Sequence, residues 1–222
     1  MPTGAFAAGK KPSSSAGAKA HPAQAAEKKQ PAPAPAKAEP KVDETLMRED
    51  RARLAEISTI EKASGTARAA ALKPLLSDKS PEVRGEAAEA LGRTKDPAAF
   101  AELSAALKSE DDHTRWGAAQ GLADLGDKKA VQPLIAALGH PERNTRWKAA
   151  RALGVLKDDR AVDALAGAAR SDKNKNVRLA AIEALGRIGG DKAAAAVDGL
   201  KNDPDPEIRA WAAATAKKLG RK

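Results

Sequence analysis

Hydrophobic and polar positions repeat along the chain, and one arginine marks the register of each repeat. Successive arginines are separated by 31, 31, 32 and 31 residues: Arg84, Arg115, Arg146, Arg178 and Arg209. Three residues after each arginine stands an alanine, and seven residues after it stands a leucine in the first four repeats. A fixed period of this length indicates stacked supersecondary units that share one continuous core.

Each repeat is predicted to contain two helices. The positions at minus one, plus three, plus seven and plus ten from the arginine recur every three to four residues, which is the helical period. An aspartate then suits the N-cap of a second helix, because its carboxylate accepts backbone N–H groups. Four repeats have this aspartate: Asp96, Asp127, Asp158 and Asp191. Arg53 lies 31 residues before Arg84, so the repeats are predicted to begin near Asp43.

The first 42 residues lack this pattern. They consist mainly of Ala, Pro, Lys, Ser and Gly, with seven lysines against two glutamates and no Leu or Ile. Such a segment cannot bury enough apolar surface to offset its ordering entropy. We therefore predict a disordered N-terminal tail over residues 1–42 and a folded domain over residues 43–222.

Composition excludes several classes of site. The chain of 222 residues has no Cys, so disulfides, cysteine-ligated metals and thiol nucleophiles are excluded. No apolar run reaches the roughly 18 residues of a membrane helix. The N-terminus has no pattern of a secretion signal, and we expect a cytoplasmic, monomeric protein. No cofactor or metal is expected. His113 follows Asp111 and Asp112, but acids beside a helix start are more often caps than metal ligands.

The segments PEVRGEAAEALGRTKD, NVRLAAIEALGRIGGD and KKAVQPLIAALGHPE resemble the HEAT-repeat family. They are closest to the short bacterial HEAT-like units first associated with phycobilin lyases. The resemblance covers about residues 68–222 and, more weakly, residues 43–67. It implies an all-α fold, a right-handed α-solenoid of stacked antiparallel helix pairs with about five and a half repeats.

The resemblance also implies two roles for the Arg-bearing helices. They would line the concave side, starting near Pro81, Asp112, Asn144, Asn176 and Pro206. The helix arginines and turn aspartates would form a structural ladder between neighbouring repeats: Arg84, Asp96, Arg115, Asp127, Arg146, Asp158, Arg178, Asp191 and Arg209.

Two of the three tryptophans, Trp116 and Trp147, stand one residue after a repeat arginine. At 100° per residue, this position lies about 160° from the centre of the apolar face. It is Gly, Leu or Ala in the other repeats, as expected for a variable binding surface on a constant scaffold. We expect both side chains to be exposed and to stand side by side, although packing on a neighbouring helix is the alternative. Trp211, at the boundary of the apolar face, is expected to pack.

The predicted partner-binding site surrounds this tryptophan pair. It comprises His113, Trp116, Gln120, Arg143, Trp147, Lys148, Arg151 and Leu179, with Glu86, Glu89 and Asp124 towards its N-terminal end. Tryptophan and arginine are frequent interface hot spots. A basic centre favours a protein or peptide with a hydrophobic anchor and acidic neighbours.

We therefore expect a non-enzymatic protein-interaction scaffold. Two alternatives stay open. A nucleic-acid binder would use the lysine-rich tail and stack bases on tryptophan, and a glycosylase of this kind would need a carboxylate such as Asp124. A bilin lyase or its accessory subunit is suggested only by the type of repeat.

Overall fold

The computed structural model describes residues 44–63 and 67–220, and the predicted tail therefore lies outside the described residues. The described residues form helices without any strand. The α-helices are α1 Glu44–Lys62, α2 Ala67–Leu72, α3 Pro81–Arg93, α4 Phe100–Ala106, α5 Asp112–Leu125, α6 Val131–Ala137, α7 Arg143–Leu156, α8 Val162–Ser171, α9 Lys175–Ile188, α10 Gly190–Asp198 and α11 Pro206–Lys218. Short 3₁₀ helices cover Lys73–Ser77, Pro97–Ala99, Lys128–Ala130 and Asp159–Ala161.

The helices form two stacked layers, which confirms the predicted all-α solenoid. The Arg-bearing helices α3, α5, α7, α9 and α11 pack on one another in chain order. The second helices of the repeats, α4, α6, α8 and α10, pack against this row. The observed starts of the Arg-bearing helices agree with the predicted starts to within one residue. Among the described helices, none is long and apolar enough to cross a membrane.

The core lies between the two layers and follows the sequence register. All five alanines at plus three are fully buried: Ala87, Ala118, Ala149, Ala181 and Ala212. The leucines at plus seven are also buried completely. These positions share one face of each helix, so burial recurs every three to four residues.

Small residues set the distance between successive Arg-bearing helices. A Cβ atom added at Gly117 would lie 1.9 Å from the carbonyl oxygen of Gly85, and one at Gly92 would lie 2.1 Å from that of Gly121. Helices α3 and α5 therefore pack backbone against backbone. Gly85 stands one residue after its repeat arginine, as Trp116 and Trp147 do, and it is buried. In this repeat the position, although it lies far from the centre of the apolar face, is covered by the neighbouring helix α5.

Candidate functional site

The repeat arginines connect neighbouring repeats, as the predicted ladder requires. Arg146 Nε donates to Asp172 Oδ2 at 2.7 Å, and only 6% of either side chain is exposed. Arg84 Nη2 donates to Asp111 Oδ2 at 2.8 Å. Arg178 pairs with Asp203 in the same way. In α1, Arg53 Nε lies 2.8 Å from Asp78 Oδ2, so the first described helix has the same contact.

The acids of this ladder differ from the predicted ones. The turn aspartates Asp96, Asp127 and Asp158 accept backbone N–H groups two residues later, at 2.9, 2.9 and 3.0 Å, and so cap the 3₁₀ helices. Asp191 lies in the first turn of α10. The N-cap prediction is confirmed for the first three, but the ladder carboxylates come from the turn before the next Arg-bearing helix. That turn lies beside the preceding arginine in space, which the repeat spacing alone does not reveal.

The last arginine of the ladder makes a local contact. Arg209 Nη1 donates to the backbone oxygens of Asp203 and Pro204 at 2.7 and 3.1 Å. These oxygens lie six and five residues before it, and Arg84 and Arg146 make the corresponding bonds in their own repeats. The arginine therefore also ties the preceding turn to its own helix.

A groove of about 500 Å³ runs across the Arg-bearing helices α7, α9 and α11. Its apolar surface comes from Trp147, Leu179, Ala180 and Trp211. Trp147 packs partly against the core, whereas 44% of Trp211 is exposed. The expectation that Trp211 packs is therefore wrong. α11 is the last described helix of the row, so no described Arg-bearing helix follows it to cover this side chain.

Positive charge is concentrated around Trp147. The Arg151 guanidinium carbon lies 4.8 Å from the centroid of the Trp147 ring, and Lys148 Nζ lies 5.7 Å from it. Both distances are within the range of cation–π attraction. Arg143, one turn earlier on α7, also lines the groove. Glu183, on the neighbouring helix α9, brings a negative charge to the same groove and pairs with Arg187 at 2.7 Å.

Trp116 is not among the residues that line this groove, and it is half-buried as Trp147 is, so the expectation that both side chains are exposed is wrong. Trp116 Nε1 donates to Glu142 Oε2 at 3.4 Å, and its ring centroid lies 5.2 Å from that of His113. Gln120 Nε2 donates to Asp124 Oδ1 on the same helix at 3.1 Å. The groove around Trp147 thus extends towards Trp211 and not towards Trp116. Of the predicted binding residues, Arg143, Trp147, Arg151 and Leu179 line one groove, with Lys148 beside it, whereas His113, Trp116 and Gln120 do not.

Three asparagines that the sequence analysis missed also line this groove. Asn144, Asn174 and Asn176 lie at or near the starts of α7 and α9. The side chain of Asn174 caps α9 by accepting the backbone N–H of Asn176 at 3.0 Å. Capping explains why asparagine occurs there, but amide side chains also carry both donors and acceptors. Their common placement at the starts of adjacent Arg-bearing helices was the signal that could have identified them.

The acids before His113 act as structural groups. Asp111 caps α5 through the backbone N–H of Thr114 at 2.7 Å and accepts from Arg84. Burial alone would raise the pKa of Asp111, but these hydrogen bonds and the guanidinium outweigh it, so the pKa is well below its usual value. Among the described residues, no group of three or more His, Asp or Glu side chains could hold a metal ion.

Comparison with known proteins agrees with this architecture. A family model for HEAT repeats matches residues 69–143 and 131–217. Among curated proteins, no sequence matches the chain.

Several solved structures share the fold. A chain from the complex of CpcE and CpcF of phycocyanin lyase from Nostoc sp. PCC7120 has a TM-score of 0.57 and 29% identity, and the match covers 71% of this chain. The same match covers 66% of that chain, slightly under two thirds of its length. A designed armadillo repeat protein in complex with the peptide (KR)4 has a TM-score of 0.54 at 17% identity, covering 78% of this chain and 94% of that one. Human deoxyhypusine hydroxylase in complex with glycerol has a TM-score of 0.51 at 20% identity, covering 77% and 80%. At these identities the last two show the fold alone.

Proposed function

Because the chain belongs to the HEAT-repeat family, we propose that it is a non-enzymatic protein-interaction scaffold that binds its partner on the row of Arg-bearing helices. The groove between Trp147 and Trp211 is the proposed centre of that surface, and it would lie on the concave side of the stack. We also propose that the protein acts in the cytoplasm.

The observation that carries this proposal is the grouping of Trp147, Leu179 and Trp211 in one groove. Each comes from a different repeat, so the groove exists only because three repeats are stacked in register. Trp211 leaves 44% of its surface exposed. Large exposed aromatic side chains beside a concave apolar surface are typical of interaction hot spots.

The charges around the groove indicate the chemistry of the partner. Arg143, Lys148 and Arg151 surround the ring of Trp147, and they favour acidic residues beside an apolar anchor. The groove asparagines could pair with the N–H and C=O groups of an extended segment, since an amide both donates and accepts. A peptide with one bulky apolar residue between Asp or Glu residues satisfies all of these groups.

Selection from a peptide library tests this proposal directly. Random peptides displayed on phage would be selected against the full chain, and a synthetic consensus peptide would then be titrated by calorimetry. We expect an apolar residue flanked by acids. In the double variant Trp147→Ala/Trp211→Ala, affinity should fall by about 30-fold or more, because truncating a hot spot costs about 2 kcal/mol or more.

Trp116→Ala is the matched control for this titration. It removes the same side chain from an equivalent repeat position outside the groove. Its affinity for the peptide should stay within about twofold of the wild type, which is about 0.4 kcal/mol. Loss of binding in Trp116→Ala but not in the groove variant would place the binding surface elsewhere.

A second candidate is an accessory role in attaching a bilin to a phycobiliprotein. It is supported by the 29% identity to a chain of the phycocyanin lyase complex. Absorbance would be followed while the full chain is incubated with a bilin and an apo-phycobiliprotein. A red-shifted, covalently retained chromophore that depends on the chain would favour this role, and an unchanged spectrum would oppose it.

A further inference from the structure

The arginine ladder changes its chemistry at Arg115. Six residues before three of the repeat arginines stand the ladder carboxylates Asp78, Asp172 and Asp203, which pair with the arginine of the preceding repeat. Before Arg146 the same position is His140. Before Arg115 the position is Ser109, and Asp111, four residues before that arginine, supplies the carboxylate to Arg84. The repeat of Arg146 has an imidazole at the usual ladder position.

The contacts of Arg115 reflect this replacement. Its guanidinium donates to Thr145 Oγ1 at 3.2 Å and to the backbone oxygens of Ser109 and Glu110 at 2.7 Å each. Its carboxylate contact is Asp112, on its own helix. Arg115 is only 6% exposed, whereas Asp112 is 45% exposed and so is strongly screened by water. A buried guanidinium is thus compensated less well here than at Arg146, whose partner Asp172 is equally buried.

Nearby acids do not replace the absent ladder carboxylate. Glu142, two residues after His140, accepts the backbone N–H groups of Asn144 and Thr145 at 2.8 and 2.6 Å and also the indole N–H of Trp116. Glu142 stands at the same repeat position as Asp111, which both caps its helix and pairs with Arg84. Here, however, Oε2 of Glu142 accepts from Trp116 and Thr145, and the ion pair of Arg115 is with Asp112.

A cavity of about 320 Å³ lies at this point of the ladder. Its polar lining comes from two places. The ladder region contributes Arg115, His140 and Thr145, and α4 with the turn after it contributes Ser104 and Lys108. Its remaining wall is aliphatic, from Leu107, Pro133, Ala136 and Ala137. Among the described residues around it are one lysine, one arginine and no carboxylate.

Two further groups around the cavity can serve as hydrogen-bond donors. His140 Nδ1 accepts the backbone N–H of Glu142 at 3.1 Å, so a neutral His140 carries its proton on Nε2 as a donor. The hydroxyl of Ser104 is buried and has no hydrogen-bond partner among the described residues. Buried hydroxyl groups are normally paired, so this one can donate to a water or to a ligand in the cavity.

We propose that this cavity binds a small aliphatic carboxylate. The carboxylate would take the place that Asp172 and Asp203 occupy elsewhere in the ladder, contacting Arg115, Lys108, His140 and Ser104. Its short hydrocarbon body would lie on the aliphatic wall. A carboxylate is favoured over phosphate because the ladder uses carboxylates at the other junctions and because the wall is apolar.

The test uses hexanoate as the probe, titrated into the full ¹⁵N-labelled chain by NMR. Hexanol and inorganic phosphate serve as the neutral and the purely anionic comparisons. Wild-type chain should bind hexanoate saturably, at least about tenfold tighter than hexanol or phosphate, because charged hydrogen bonds and apolar contact act together. Equal affinity for hexanol, tighter binding of phosphate, or unsaturable shifts would overturn the proposal.

The decisive variant is His140→Asp, which restores the ladder carboxylate. It should fold at least as stably as the wild type while hexanoate affinity falls at least about tenfold, because the new side chain occupies the site and repels the probe. Asn202→Asp adds the same charge at an exposed position far along the chain and should change affinity less than about twofold. Equal hexanoate affinity in His140→Asp and wild type would refute the site. If His140→Asp fails to fold, Ser104→Ala takes its place, with an expected loss of about threefold or more.

Discussion

The junction between α3 and α5 and the groove across α7, α9 and α11 use the same repeat positions in opposite ways. At the first, Gly85 and Gly117 remove both side chains, and the backbones touch. At the second, Trp147, Leu179 and Trp211 occupy the equivalent or adjacent positions and line an open groove. One scaffold thus forms a closed junction and an open groove with apolar walls within a few repeats.

The difference shows that side-chain size at the helix contacts determines how close two repeats lie. Gly92 faces Gly121 at the first junction, whereas Gly154 faces Ala184 and Gly186 faces Thr215 at the later ones. A larger side chain at such a contact is expected to hold the backbones further apart, because protein interiors are close-packed and cannot absorb extra volume. The proposed binding surface therefore depends on packing as well as on the residues that line it.

The largest loss of stability is expected for the buried ion pair between Arg146, on the groove helix α7, and Asp172. Asp172→Ala leaves the guanidinium of Arg146 buried without its carboxylate, and removing one partner of such a pair costs about 3 kcal/mol or more. Urea unfolding of the full chain at neutral pH would measure this loss. Asp163→Ala is the control, because Asp163 is 81% exposed beside Lys192 and should cost less than about 0.5 kcal/mol. Similar losses in the two variants would show that burial of the ladder contributes little.

The Arg146–Asp172 pair should also make the stability of the fold depend on pH, and the pKa shift of Asp172 gives the direction. Burial would raise the pKa of Asp172, but the hydrogen bonds from Arg146 and the backbone of Asn174 lower it overall. A lowered pKa in the folded state means that the stabilisation is present above the unfolded-state pKa of about 3.9 and is lost as pH falls below it. The difference in stability between wild type and Asp172→Ala should therefore shrink below about pH 4.

A smaller effect should distinguish the closed junction from an uncrowded helix. Gly117→Ala would place a methyl group 1.9 Å from the oxygen of Gly85, and overpacking of this kind costs about 2 kcal/mol or more. Gly167→Ala, on α8, meets no atom within 4 Å and should instead stabilise the chain by about 0.5–1 kcal/mol. The opposite signs would appear in paired thermal melts. A neutral Gly117→Ala would mean that the α3–α5 contact can relax.

The smallest effect is the difference in stability loss between variants of the two groove tryptophans, Trp147 and Trp211. Trp147 packs partly on the core, so Trp147→Ala should destabilise the fold by about 1–2 kcal/mol, less than the 3–5 kcal/mol of a fully buried aromatic residue. Trp211→Ala removes a side chain that is 44% exposed and should cost less, about 0.5 kcal/mol. Chemical denaturation of the two single variants gives the comparison. Equal losses of stability would show that Trp147 contributes no more to the core than Trp211 does.

Local periodicity was enough to determine the helices and the core. The spacing of the arginines located the starts of α3, α5, α7, α9 and α11, and every alanine at plus three is buried as the pattern predicted. These features depend on the angular position of a residue around its own helix, and 3.6 residues per turn determines that position. The family assignment rests on the same repeated pattern.

Contacts between repeats needed the tertiary structure. Only the tertiary structure decided that Gly85 is buried while Trp147 lines a groove, and that Trp211 and not Trp116 completes that groove. It also decided that Arg146 pairs with Asp172 and not with the turn aspartate Asp158. The physical reason is that these features depend on the distance and orientation of a neighbouring helix. Both follow from the combined sizes of side chains far apart in sequence, which no single repeat specifies.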